Sequence, residues 1–265
     1  MKNRLIGGTI VGIITLIALF AGGVVTAIIL TLSSLIAVRE LLKVYSLEKS
    51  SFAWVNYIAT VLLYVFLYFE KEQLVMPLSI VVVIITLAIY VFRFPKYKDT
   101  DMMRAIFSFL YGAILLSYIL RIRSMEQGLA LSFFVLISSW INDIFAYLVG
   151  SAIGKHKFSP KVSPNKSVEG FFGGIVGAGI IGLAYGIVFA KYLPLPGVYC
   201  SIIAALGAIP AVIGDLAASA IKRDNDIKDY SNLIVGHGGM LDRIDSILFT
   251  APIIYYLVEV FYVLS

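Results

Sequence analysis

Asp215, Ser219 and Lys222 are spaced so that an acid, a hydroxyl and a cation share one helical face. They open a stretch, Asp215 to Asp245, that holds ten of the chain's thirty-seven charged residues between two long apolar runs. Charge at membrane depth is costly and is usually kept for function. Beyond Arg223, the alternating signs of Asp224, Asp226, Lys228 and Asp229 are what a solvated loop would also show. Gly236-His237-Gly238-Gly239 is more specific, because three glycines around one histidine permit a sharp turn and close backbone approach to a ligand. N–H groups just ahead of a helix are also a natural anion site. Asp242 and Asp245 then fall in the first turn of the last apolar segment. Carboxylates there complement the helix dipole, or, with Asp215 arriving from the neighbouring helix, hold Mg2+ against phosphate oxygens.

A second cluster lies upstream. Asn142 and Asp143 sit in an apolar segment beside Ser138-Ser139-Trp140 and Ala146-Tyr147. The following loop, Gly154 to Gly170, offers Lys155, Lys157, Lys161, Lys166 and His156, with two Ser-Pro pairs that enforce extended backbone. Such a loop suits a polyanion. An ordinary basic loop would explain the lysines but not the order Ser163-Pro-Asn-Lys-Ser-Val-Glu-Gly170.

The elements that must position these residues are membrane helices. The 265-residue chain is 60% hydrophobic and 14% charged, with a mean hydropathy of +0.95, far from the balance of a soluble domain. Apolar runs of about 18 or more residues recur, and the alternating segments of a membrane barrel are absent. The expectation is an all-α, polytopic integral membrane protein with about nine transmembrane helices. They fall near 5–20, 24–44, 51–69, 74–92, 102–121, 128–152, 168–190, 198–222 and 240–264, with the first pair broken at Gly22-Gly23. Met1–Phe20 reads as a retained first helix, since no small-residue cleavage site follows it. Pro210 is expected to kink or open the eighth helix. The lone Cys200 reads as a small apolar filler.

Nine spans sort the basic residues cleanly: seventeen fall on the N-terminal side and four, Lys71, Arg121, Arg123 and Lys191, on the other. By the positive-inside rule the N-terminus and the polar loops 154–167 and 223–239 are cytoplasmic and the C-terminus is outside. The expected home is the cell's inner (plasma) membrane. The net charge of +5 is spread over short loops and gives no nucleic-acid signal. Residues 1–125 read as structural helices for packing or dimerisation, with Arg39, Glu40 and Lys43 as interfacial anchors and Tyr64–Phe69 and Tyr90–Phe94 as an aromatic belt. Residues 126–265 read as the catalytic region.

The run from Ser219 through Lys222-Arg223, Lys228-Asp229, Ser231, His237-Gly-Gly and Asp242-Arg-Ile-Asp245 resembles the signature of the phosphatidate cytidylyltransferases, or CDP-diacylglycerol synthases. Val235 stands where that family usually has Pro. Asn142-Asp143 is similar to the family's Thr-Asp-Thr-Gly-Ala-Tyr segment, with the Asp and Ala146-Tyr147 kept. Ser163–Gly170 is similar to its Ser-Pro-Lys-Lys-Thr-x-Glu-Gly segment, with Asn165 departing. The resemblance covers roughly 138–250.

The resemblance implies that CTP and phosphatidic acid give CDP-diacylglycerol and pyrophosphate with Mg2+, and room for a second cation, at the face of a lipid bilayer. Joining two polyanions demands positioning and charge neutralisation. On that reading Asp215 and Asp242 ligate the metal, with Asp245 and Asp143 as further ligands or supporting groups. Lys222, Arg223 and Arg243 neutralise phosphate, and His237 orients phosphate or moves a proton. Ser163, Asn165 and Lys166 close over the nucleotide, joined in binding by Ser219, Lys228, Asp229, Gly238 and Gly239. A homodimer is a guess from the general prevalence of paired subunits.

Three rival classes remain open. CDP-alcohol phosphotransferases use a D-x-x-D-G-x-x-A-R order, but Ser246 follows Asp245 here and no downstream Asp pair exists. Within the lipid enzymes, a polyprenyl-phosphate kinase or a cytidylyltransferase for another lipid phosphate also fits. A cation-coupled transporter would likewise place Asp inside the membrane, and a scaffold would not need His237 between glycines.

Overall fold

A computed structural model describes residues 2–233 and 238–264. Among these residues there are nine helices: α1 (Lys2–Ala21), α2 (Gly23–Val44), α3 (Ser51–Tyr68), α4 (Val75–Phe92), α5 (Asp99–Ser124), α6 (Gly128–Ile153), α7 (Val168–Val188), α8 (Gly197–Asp224) and α9 (Leu241–Leu264). The eight from α2 onwards are long and apolar enough to cross a membrane, counting α4 from Glu72. In α1 the apolar run is the shorter Val11–Ala21. The expected all-α membrane architecture holds, and the spans from α3 onwards match their expected limits to within about three residues. Gly22 and Gly23 break the first apolar run as expected, both at positive φ, where a side chain would be strained. Pro210 does not interrupt α8, which continues through it.

The chain divides into two compact units. The first comprises Met1–Leu120 with Asp229–Arg243, and the second Arg121–Lys228 with Ile244–Ser265. In the first unit, α2 and α3 pack through a core of Ala37, Val38, Leu41, Phe52 and Leu63. Tyr64, expected in an interfacial belt, is instead fully buried and shares a 2.7 Å hydrogen bond with Ser34. That pairing satisfies its hydroxyl inside the core. Gly112, in a widened turn of α5 (Leu110–Ile114), meets Val38 of α2 so closely that a side chain would displace it. Most of α4 stays exposed, with only Val75, Leu78, Val82 and Thr86 buried, as suits a lipid-facing helix.

In the second unit, α7 presents glycines to both neighbours. Gly174 backs onto the Asn142 side chain of α6, and Gly182 onto Ala204 and the Cys200 carbonyl of α8. Close backbone approach is the main source of helix association where lipid removes the hydrophobic drive. Hydroxyls bridge the same helices: Ser138 Oγ donates to Ala204 O at 3.1 Å, Ser201 Oγ to Gly179 O at 2.8 Å and Tyr185 OH to Ala130 O at 2.9 Å. Between α6 and α7 the chain is not an irregular loop. Strands β1 (Lys157–Ser159) and β2 (Ser163–Ser167) form an antiparallel hairpin with Lys157 opposite Ser167. The extended Ser163-Pro164 pair supplies one strand.

Gly174→Ala should therefore cost about 1–3 kcal/mol by overpacking against Asn142. Thermal unfolding in detergent checks this, and a melting temperature equal to wild type would contradict the close packing.

Candidate active site

Three elements of the second unit bring charge together. Asp143 enters from α6, two residues after a widened turn at Ile137–Ile141. Such turns often occur at functional positions. Asn142 beside it is fully buried, reaches Asp143 Oδ1 at 3.5 Å, and keeps its own Oδ1 without a hydrogen bond. Lys166 comes from β2 and places Nζ 2.5 Å from Asp215 Oδ2 of α8. Ser219, one turn along, makes a long 3.4 Å contact with Asp215 Oδ1. The hairpin that carries Lys166 is fixed at its base. Ser167 Oγ accepts from Gly170 N to cap α7, and Glu169 Oε1 lies 2.6 Å from His156 Nδ1.

Of these residues Asp143, Lys166 and Ser167 line a cavity of about 460 Å3, together with Tyr147, Gly150, Lys157 and Asn165. Its volume is within the range of small-ligand sites. Asp245 belongs to the same electrostatic neighbourhood. It senses Asp215, Asp143 and Lys222, and holds its Oδ1 on Ser246 N at 2.8 Å. Asp143 in turn senses Lys166 and Asp215. Among the described residues no three acid, imidazole or thiolate groups already converge on a metal position. The donor chemistry nonetheless suits Mg2+, which prefers a few hard carboxylate oxygens shared with water and phosphate.

Asp242 and Arg243 belong to the first unit, with the loop from Asp229. There Asp242 Oδ2 accepts from Tyr230 N and Gly239 N, both at 2.9 Å. Gly238 adopts a positive φ of 76°, and a Cβ there would press on that same carboxylate. Two of the glycines thus have an intramolecular reason: they let the backbone close around the protein's own acids. Arg243 keeps a buried Nε without a hydrogen bond. Gly236 and His237 lie outside the described residues. In the second unit Arg223 and Lys228 are exposed, Ser163 is half-buried and Asn165 is exposed.

Sequence reasoning missed one residue that holds the loop of the first unit. Glu40, expected to be an interfacial anchor, is 5% exposed and accepts hydrogen bonds from Ser231, Met240 and Leu241. Its signal was its isolation, since no other acid occurs among the first 47 residues.

A multi-pass helical protein with a cationic hairpin over membrane-embedded carboxylates has the outline of an enzyme for phosphate-bearing substrates at a bilayer. The comparisons make this specific. The chain belongs to the cytidylyltransferase family, whose profile matches residues 2–261. It is 33% identical to a phosphatidate cytidylyltransferase of Bacillus subtilis, over 98% of each chain. One from Staphylococcus epidermidis is 30% identical over 96% of this chain and 97% of its own. One from Aquifex aeolicus is 34% identical over 71% of this chain and 67% of its own. The similarity therefore extends well beyond residues 138–250, into the N-terminal helices.

Asp242→Ala should free the Tyr230 and Gly239 N–H groups, costing about 1–3 kcal/mol. Trypsin should then cut at the adjoining Lys228 faster than in wild type, whereas an unchanged digestion rate would contradict the clasp.

Proposed function

We propose that this protein transfers the CMP moiety of CTP to phosphatidic acid, forming CDP-diacylglycerol and releasing pyrophosphate. The observation that carries the reading is that Lys166, paired with Asp215, lines one cavity with Asp143. The names of the relatives supply the substrate classes. In the reaction an oxygen of the lipid phosphate bonds to the α-phosphorus of CTP, and the bond from that phosphorus to the bridging oxygen of the β-phosphate breaks. The nucleophile is already ionised, so the demand is alignment and charge neutralisation rather than a strong base.

Asp215, Asp143 and Asp245 would hold Mg2+, which supplies positive charge to the phosphate oxygens when bound. Asp242, with one oxygen committed to two backbone N–H groups, serves the loop. Lys166 would exchange its carboxylate partner for a nucleotide phosphate, which would leave Asp215 to hold the cation. Lys222 and Arg223, at the end of α8, face incoming phosphate, and Asn165 and Lys157 line the nucleotide's path. The acyl chains stay in the bilayer. The excess of basic residues on the N-terminal side supports a cytoplasmic hairpin and active site.

Purified protein with labelled CTP, Mg2+ and phosphatidic acid should yield a lipid-bound label. Asp215→Asn and Asp143→Asn should each lower turnover about a hundredfold or more while the fold is kept. Chelation of divalent ions should stop the reaction. Near-normal turnover in both variants would remove the carboxylate site, and ion flux without nucleotide consumption would favour a transporter.

A further inference from the structure

We propose that Glu40 is a positioning residue for the signature loop: from α2 it holds Ser231 on one side of the loop and Met240 and Leu241 on the other, an arrangement that the proposed activity requires. The inference rests on the activity proposed above and adds to it a residue outside the signature motifs. Glu40 Oε1 accepts from Ser231 Oγ at 2.6 Å and from Met240 N at 2.9 Å, and Oε2 accepts from Leu241 N at 2.9 Å. Both oxygens are thus engaged by groups about two hundred residues away in sequence, on either side of Gly238-Gly239. Gly239 lies so near that a Cβ there would overlap the Glu40 carboxylate.

A buried carboxylate needs compensation, and the unpaired N–H groups of a helix N-terminus supply it, with the helix dipole adding to the attraction. Glu40 therefore occupies the place at the start of α9 that a phosphate would otherwise take. While it does so, Met240 N and Leu241 N make no contact with substrate. Their role is to fix the loop, and nucleotide contacts must come from other groups. Asp242 takes Tyr230 N and Gly239 N alongside, so two carboxylates clamp the loop, one from its own helix and one from α2.

The test uses the full chain in lipid nanodiscs, with Glu40→Gln and Ser231→Ala. Glutamine keeps the size but turns one acceptor into a donor facing an N–H, and alanine removes only the hydroxyl. In Glu40→Gln the Met240 and Leu241 amides should exchange hydrogen about tenfold faster. Its kcat/KM for CTP should fall about tenfold, with the KM for phosphatidic acid within about twofold and the melting temperature little changed. Ser231→Ala should move the same quantities in the same direction by about threefold.

Wild-type exchange at Met240 and Leu241 in Glu40→Gln would overturn the proposal. So would parallel losses for both substrates together with a lowered melting temperature, since that pattern marks a structural role alone. Should Glu40→Gln fail to fold, Ser231→Ala decides: unchanged exchange and unchanged CTP kinetics overturn it. A wild type that makes no CTP-dependent lipid product would sink the activity, and the exchange comparison would still decide the anchor.

Discussion

A carboxylate carried on an apolar helix must find a cation or a set of N–H donors, because the membrane around it offers neither. That requirement organises both units. In the second, Asp215 takes Lys166 from the hairpin, Asp143 senses that same lysine, and Asp245 senses Asp215 and Lys222. In the first, Glu40 and Asp242 take the N–H groups of the loop and of the α9 N-terminus. The two solutions differ in what they leave over. Glu40 has each oxygen satisfied by protein donors, whereas in the second unit Asp143 and Lys166 line a cavity and Lys166 pairs with Asp215. Carboxylates and lysines beside a cavity are what a site for a cation and a polyanionic substrate requires.

The surrounding structure serves that arrangement. Glycines on α7 let α6 and α8 approach, bringing Asp143 and Asp215 onto facing helices of one unit. The widened turn at Ile137–Ile141 re-aims α6 immediately before Asn142. The hairpin then has only to reach across from the end of α6, and its capped junction with α7 fixes where Lys166 falls. Cross-helix hydroxyl bonds hold the unit where apolar contacts alone discriminate poorly from lipid.

Much of this was legible in the sequence, for identifiable reasons. Long apolar runs separated by Gly, Pro and charge set the helices, and Gly22-Gly23 marked the first break because only glycine takes those dihedrals without strain. Asp143, Lys166, Asp215 and Asp245 stood out as polar groups whose spacing an ordinary loop or span does not explain. What stayed hidden depends on distant partners. Glu40 looks like one more interfacial charge until the loop two hundred residues later closes on it. Tyr64 looks interfacial until Ser34 is seen opposite. Asp242 reads from its spacing as a metal ligand or a helix-dipole acid, and nothing there marks Tyr230 and Gly239 of the preceding loop as its hydrogen-bond partners. The hairpin was too short and polar for a strand signal, and the widened helical turns have no sequence mark.

The central claim is that Asp143, Asp215 and Asp245 act as one cation-holding set. It is tested most directly by electron paramagnetic resonance of Mn2+ added with CTP to the purified protein. Wild type should hold about one tightly bound Mn2+ per chain, and Asp215→Asn should lose it while Asp242→Ala retains it. Equal Mn2+ binding in wild type and Asp215→Asn, or loss confined to Asp242→Ala, would contradict the account.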